Sequence, residues 1–431
     1  MRNKCLFRLI TSALISLPLV SIGNVPQDIP PKNKVFVDVS RVSSTDLNLA
    51  IQRSKTYIVN ACLPTGEFIY EVDDESGHIL PKYNVIRHSG TIYSLGIYYE
   101  TYPDLKVLDT MLRAAQFLKS TYIGQAQSQN GQNKVLAVWS QPIGSVETPS
   151  ASLGGVGLGL VALAEVAKIR NQSSSIDDLE SLGRLVLILE RDDGDFYGKF
   201  DNKEGPTGEN DSLYYPGEAT LGLISLYEAS RSRQWLVAAG KALSYLAKSR
   251  EGQTQVPPDQ WALIATAKLF PYYAESNCTV SQSELVQHAV QICNCIMNEQ
   301  IHHDPNPDLN GGFDPSGRTT PTAVRVEGLL AALEFIPENQ KELRIKVELA
   351  VRRGIQFLLH AQIVKGQYLG GMPCTIQVDP VHQFRTSEIR IDYVQHALSA
   401  FLRYQSFLKG HKGIQVNEST MSHSNDTTSS G

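Results

Sequence analysis

Between residues 45 and 405 the chain passes six times through the same pair of helical segments, a repeat that leaves few folds open. One member of each pair is long and amphipathic: residues 45–61, 105–122, 179–191, 234–250, 283–300 and 341–363. In the second of these, Leu108, Met111, Leu112, Ala115 and Leu118 follow the i, i+3, i+4, i+7 spacing of one buried stripe, with Lys and Arg outside it. The other member is richer in Gly, Ala and small residues: 85–100, 150–168, 215–230, 258–272, 320–335 and 387–405. Stretches such as SLGGVGLGLVALAEVA are apolar on most sides, which suits helices covered by neighbours all round. Six outer and six inner helices predict an all-α fold, an (α/α)6 toroid over residues 40–408 whose last pair closes on the first. Twelve helices account for the length without a second domain.

Glycine-containing turns with an aromatic or apolar neighbour, TGEFIY, GDFYGKF, NGGFDPSG and QYLGGMP, separate outer from inner segments. They are expected to be short extended pieces at one mouth of the ring, since glycine permits positive φ and the aromatic residues can fill the rim. Thr320-Pro321 and Tyr215-Pro216 have the form of helix starts. Six hairpins, GGF-type turns and polar residues at the inner-helix starts resemble the six-hairpin glycosidase-like superfamily. Within it, the segment from Arg390 to His396, preceded by a GG turn, is similar to the closing motif of the C-terminal domain of glucuronyl C5-epimerases. The resemblance implies a substrate funnel on the side where the inner helices begin. Helix N-termini give an independent reason, because their free N–H groups favour anionic or hydroxyl-rich ligands.

The two ends stand apart from the repeat. Arg2, Lys4 and Arg8 precede an apolar run from Leu9 to Ile22, the order of a secretory signal, so residues 1–23 are read as a signal peptide or N-terminal anchor. The run is shorter than the ~20 residues that span a bilayer. Export to a periplasm or the medium is expected, with membrane contact only through this segment if it stays uncleaved. Residues 409–431 hold few side chains able to pack and are expected to form a disordered tail. Of six cysteines Cys5 lies in the leader, and the widely spaced remainder, Cys62, Cys278, Cys293, Cys295 and Cys374, requires no disulfide. An apolar content of 42% and a net charge of −5 over 431 residues exclude a disordered chain and a strongly basic nucleic-acid binder.

Four clusters at inner-helix starts carry the chemistry. In VIRHSGTIYS, Arg87 could hold a carboxylate and His88 could transfer a proton, with Tyr93 nearby; the alternative is a network satisfying the helix start. In DSLYYPGEATLG, Glu218 falls in the first turn, where the helix dipole alone could explain it, and Tyr215 could stack on a sugar face or pack on the next hairpin. In TTPTAVRVEGLLAAL, Glu327 needs a partner in a core-facing helix, an arginine or a ligand, and Arg325 lies close by. In FRTSEIRIDYVQHALSAF, Asp392 and His396 share one helix face and could work as an acid–base pair or close the ring as a buried link. Asp193, Asp195 and Asp314 add turn carboxylates, a class more often structural.

No C-x-x-C, H-E-x-x-H, EF-hand loop, G-x-G-x-x-G, P-loop or G-x-S-x-G motif occurs, so no metal and no cofactor is expected. The leading expectation is an exported hydrolase, lyase or epimerase acting on an acidic sugar or uronate-containing glycan. Arg87, Arg325 and Arg390 would anchor a carboxylate, Tyr93 and Tyr215 would contact the ring, and Glu218, Glu327, Asp392, His396 and His88 would supply acid–base groups. Two alternatives stand beside it. One is a zinc-dependent or terpenoid-cyclase-like toroid, with Cys374, His382, Asp392 or His396 converging as ligands; the other is a non-catalytic helical scaffold.

Overall fold

The computed structural model describes residues 42–127, 134–170, 176–209, 212–378 and 384–410. Residues 1–23, and 411–431 of the expected tail, lie outside them. Twelve α-helices alternate between an outer and an inner layer. The outer set is α1 (Ser44–Ala61), α3 (Leu105–Tyr122), α5 (Ile176–Leu189), α7 (Arg233–Ser249), α9 (Gln282–Asn298) and α11 (Lys341–Ala361). The inner set is α2 (Val85–Thr101), α4 (Leu153–Arg170), α6 (Tyr215–Ser230), α8 (Gln260–Leu269), α10 (Thr319–Leu333) and α12 (Ile391–Gly410). Each inner helix packs on the next, and α12 packs on both α2 and α1, which closes the circle as the repeat predicts. Among the described residues no helix is long and apolar enough to cross a membrane.

Local sequence explains where the helices start. Asn84, Asp104 and Asp259 cap α2, α3 and α8 by accepting from backbone N–H groups, and Ser281 forms a reciprocal capping box with Glu284 on α9. The outer helices bury one stripe. In α3 it is Val107, Met111, Ala114, Ala115 and Leu118, rotated from the expected set so that Leu108 and Leu112 are only half-buried. Inner helices are buried nearly all round, α4 without a break from Leu153 to Glu165.

Three segments differ from the periodicity. Residues 150–152 form strand β4 rather than the first turn of α4, and Glu388–Arg390 forms β7 rather than the start of α12. Both stretches run directly into the helix that follows, but cross-chain pairing decides them: β4 pairs with β5 (Lys199–Asp201), and β7 pairs antiparallel with β1 (Glu71–Asp73). The eighth helix ends at Leu269, because Pro271 turns the chain into a 3-10 segment, Phe270–Glu275. The strands β2 (Ile123–Gln125), β3 (Leu136–Val138) and β6 (Gly205–Thr207) complete a set lying wholly in the outer-to-inner connections. These connections therefore surround the mouth where the inner helices begin.

The four glycine turns share one construction. Gly66, Gly194, Gly311 and Gly370 have φ of +90°, +98°, +88° and +89°. Each lies against a backbone carbonyl of the next outer helix: Arg113 in α3, Lys241 in α7, Arg353 in α11 and, last, Arg53 in α1. Two residues on, Phe68, Phe196, Phe313 and Met372 are buried. A side chain would meet both the unfavourable φ and that carbonyl. The Gly370 turn thus seats the sixth hairpin on the first. Gln362 fixes the same seam, its Nε2 donating to the Ala50 carbonyl (3.0 Å) and Ser54 Oγ (2.9 Å). Cys62, Cys278, Cys293, Cys295 and Cys374 are all free thiols.

Gly370→Ala is expected to lower stability by more than the ~1–3 kcal/mol of a left-handed non-glycine residue, because its Cβ also collides with the Arg53 carbonyl. Gly366→Ala, with φ +84° and open space around it, isolates the backbone cost. Thermal unfolding should show the larger loss at 370; equal losses would mean that the seam contact contributes nothing.

Candidate active site

At the mouth three residues from opposite ends of the chain meet across the closing seam. Arg87 lies in the first turn of α2, where Asn84 also receives its backbone N–H. Its Nε donates to Asp392 Oδ2 at 3.0 Å and its Nη1 to the Tyr70 hydroxyl. Arg390, the last residue of β7, grips the same carboxylate from the other side, Nε to Oδ1 at 2.6 Å and Nη2 to Oδ2 at 3.1 Å. Its guanidinium lies over the Tyr393 ring at 4.4 Å. Asp392 is buried, whereas Arg87 keeps about a third of its side chain exposed. Two guanidiniums and one carboxylate leave one net positive charge facing the opening.

Directly across the ring, α6 presents Glu218. Pro216 opens the helix, and the carboxyl lies over Gly154 of α4, where a Cβ would collide with Glu218 Oε2 and with the Tyr215 ring. Glu218 is 4% exposed, and its Oε2 has no hydrogen-bond partner. Burial, with the neighbouring Asp259 carboxylate adding to it, pushes its pKa up to about 8. Glu218 is therefore a neutral acid at neutral pH, able to give up a proton.

Deeper in the lumen, Glu327 of α10 and His396 of α12 pair at 2.7 Å through His396 Nδ1. In this contact the imidazole Nδ1 donates and the carboxylate accepts. No described residue hydrogen-bonds Nε2. The Trp261 ring meets His396 edge-on at 6.4 Å and Tyr93 at 6.3 Å, and Tyr93 accepts a hydrogen bond from Arg403 Nη2 at 2.9 Å. Tyr93, Trp261 and His396 form an aromatic layer across the lumen.

The structure thus gathers Arg87, Arg390 and Asp392 at the seam, Glu218 and Tyr215 opposite, and Glu327, His396 and Tyr93 below. It rearranges the expected Asp392–His396 pair: Asp392 is held by two arginines and His396 turns to Glu327, a partner from another helix. Two expected groups point elsewhere. His88 lies between α2 and α3, bonded to Tyr83 Oη (2.7 Å) and the Ala114 carbonyl (2.9 Å), and burial lowers its pKa to about 4. It is a satisfied, neutral core histidine. Arg325 faces the outer layer and pairs with Glu299 at 3.0 Å. The turn carboxylates close their own turns, Asp193 on the Asp195 N–H and Asp314 on the Ser316 N–H and Arg318. The zinc set does not assemble: Asp392 and His396 are engaged separately, His382 lies outside the described residues, and among the described residues no three metal-binding side chains gather.

Sequence reasoning missed Asp259 and Arg250. Asp259 is fully buried at the start of α8, accepts from the Ala262 N–H (3.0 Å) and pairs with Arg250 Nη2 at 2.9 Å. Arg250 Nη1 also reaches His288 Nε2 at 3.3 Å. The signal was present as an Asp after Pro-Pro at a helix start.

The sequence matches no family model and no curated protein. Solved structures do match. A cellobiose 2-epimerase from Bacillus thermoamylovorans B4167 superposes with a TM-score of 0.61 at 14% identity, covering 84% of this chain and 100% of that one. A D-mannose isomerase gives 0.57 at 13%, covering 85% and 98%. An inactive variant of an α-1,6-mannanase from Salegentibacter sp. HEL1_6, in complex with α-1,6-mannotetrose, gives 0.56 at 11%, covering 83% and 98%. At such identities the likeness establishes the fold, an (α/α)6 toroid of six helical hairpins.

Glu218 also links pH to stability. Between its ordinary value of 4.5 and about 8 the folded chain keeps a proton that the unfolded chain has lost. Stability contributed by this group is therefore intact below 4.5 and falls as pH rises to about 8, by up to ~1.4 kcal/mol per pH unit. Glu218→Gln should flatten the denaturation midpoint across that window; an unchanged slope would place the titration elsewhere.

Proposed function

We propose that this protein is a carbohydrate-active enzyme that moves a proton on a sugar bearing a carboxylate, as an epimerase or lyase does. The single observation that carries this reading is the His396–Glu327 pair, whose Nε2 no described residue engages, set diametrically opposite Glu218, a carboxyl that burial favours in its acid form. Arg87 and Arg390 would hold the substrate carboxylate, and Tyr215 and Tyr93 would contact the sugar.

The step follows from the charges. His396 Nε2 takes the proton from the carbon next to the carboxylate, and the released electron pair spreads into that carboxylate beside the two guanidiniums. Glu218 then returns a proton to the other face of the carbon, or the electrons expel a β-substituent whose oxygen Glu218 protonates. The first outcome is epimerisation and the second is elimination.

Hydrolysis fits the arrangement less well. It commonly takes two available carboxyl groups flanking the bond. Asp392 is occupied by Arg87 and Arg390, and Glu327 by His396, which leaves Glu218 as the one unpaired carboxyl of these three. The fold by itself does not choose, since structures named as epimerase, isomerase and mannanase share it. Export is part of the proposal and rests on the basic flank and apolar run of residues 1–23.

Incubation with uronic acids and short uronate oligosaccharides in heavy water, read by mass spectrometry and proton NMR, should show deuterium at the carbon beside the carboxylate or an unsaturated product. His396→Ala and Glu327→Gln should each lower turnover by about 10²-fold or more, the usual range for losing an acid–base group, while the fold persists. No exchange and no product across the set would remove this reading.

A further inference from the structure

We infer that the funnel admits a small saccharide with a single acid group, held carboxylate-inward, and repels polyuronate chains. This inference rests on the acidic-sugar reading above and narrows its substrate class.

The inner wall offers one excess positive charge, at Arg87 and Arg390. Three other cations on or beside the inner helices are paired with acids. Arg403 faces Glu334 at 3.6 Å, Lys268 faces Glu228 at 2.7 Å and Arg250 faces Asp259 at 2.9 Å. A second carboxylate inside would find no uncommitted partner, and the unpartnered Oε2 of Glu218 lies opposite.

The entrance has the other sign. The described parts of the six outer-to-inner connections, residues 62–84, 123–152, 190–214, 250–259, 299–318 and 362–390, hold twenty acidic side chains against ten basic ones. The whole chain carries only −5, so the negative charge is concentrated around this opening. Acidic groups also flank the carboxylate clamp, where Glu71 pairs with Lys82 at 3.2 Å and Asp73 with Arg385 at 3.6 Å. The strand pair that carries Arg390 sets Glu71 opposite it and Glu388 opposite Asp73, and Asp74 and Glu75 follow in the turn. Burial, and then the Glu75 and Asp73 carboxylates, raise the pKa of the Asp74 carboxyl.

A monoanion pays the repulsion of this rim once and reaches the arginines. A polyuronate places further charges among the acidic groups, where like-charge repulsion grows with every residue and is screened only by salt. The same potential that tolerates the single charge therefore selects against the polymer.

Calorimetric titration of the full chain with matched pairs tests this: D-glucuronate against an oligoglucuronate, and D-galacturonate against an oligogalacturonate. For the sugar that binds, the oligomer should be at least ~10-fold weaker at about 0.01 M salt, and the gap should close at about 1 M, where screening is nearly complete. The double variant Asp74→Asn/Glu75→Gln should narrow the gap at low salt while monomer affinity stays within ~2-fold, since neither residue touches the clamp. An oligomer that binds as tightly as its monomer at low salt overturns the inference and leaves the acidic-sugar reading standing. If monomers and oligomers all fail to bind, the acidic-sugar reading itself falls and the size limit with it.

Discussion

A buried carboxylate held between two arginines is the point where this chain becomes a ring. Asp392 begins the last helix, Arg390 ends the strand before it, and Arg87 opens the first inner helix, some three hundred residues away. A charge so placed is costly unless fully paired, and removing one partner commonly costs 3–5 kcal/mol because the other is left buried alone. The pairing is satisfied only when the twelfth helix lies on the second. Closure and the positive wall of the mouth are therefore one arrangement. The β1–β7 ladder and the Gly370 turn on α1 support the same seam from the loop side and the outer layer.

Much of this architecture is legible in the residues. Outer helices announce themselves because one face meets the core and the other meets water, and inner helices because apolar and small residues cover most of their sides. The glycine turns are legible as turns, but their contact with the following outer helix is not, since it depends on a neighbour distant in sequence, at Gly370 one at the other end of the ring. Short strands escape periodicity for the same reason. Residues 150–152 and 388–390 are too brief to show an alternation, and their conformation is set by the strand across from them.

The site divides along the same line. Glu218, Glu327 and Arg87 stand out as ionisable groups in otherwise apolar helices and Arg390 just before one, and spacing along a helix finds them. Pairing is what spacing misassigns. Asp392 and His396 share a face, yet the arginines across the seam and Glu327 from α10 outcompete that contact. His88 and Arg325 lie at the right height on the wrong face, turned to the outer layer. Asp259 and Arg250 matter only because α8 stands beside Glu218, a fact of ring order. Ring order also sets the chemistry: α6 faces α12 across three helix positions, so an acid on one and an open imidazole on the other address a bound ring from two sides.

A crystal structure of the full chain soaked with the monouronate that binds tests this account most directly. The account predicts the carboxylate on Arg87 and Arg390, the adjacent carbon within reach of His396 Nε2, and Glu218 on the opposite face of the sugar. A ligand seated outside the lumen, or one with Glu218 and His396 on the same face, would contradict it.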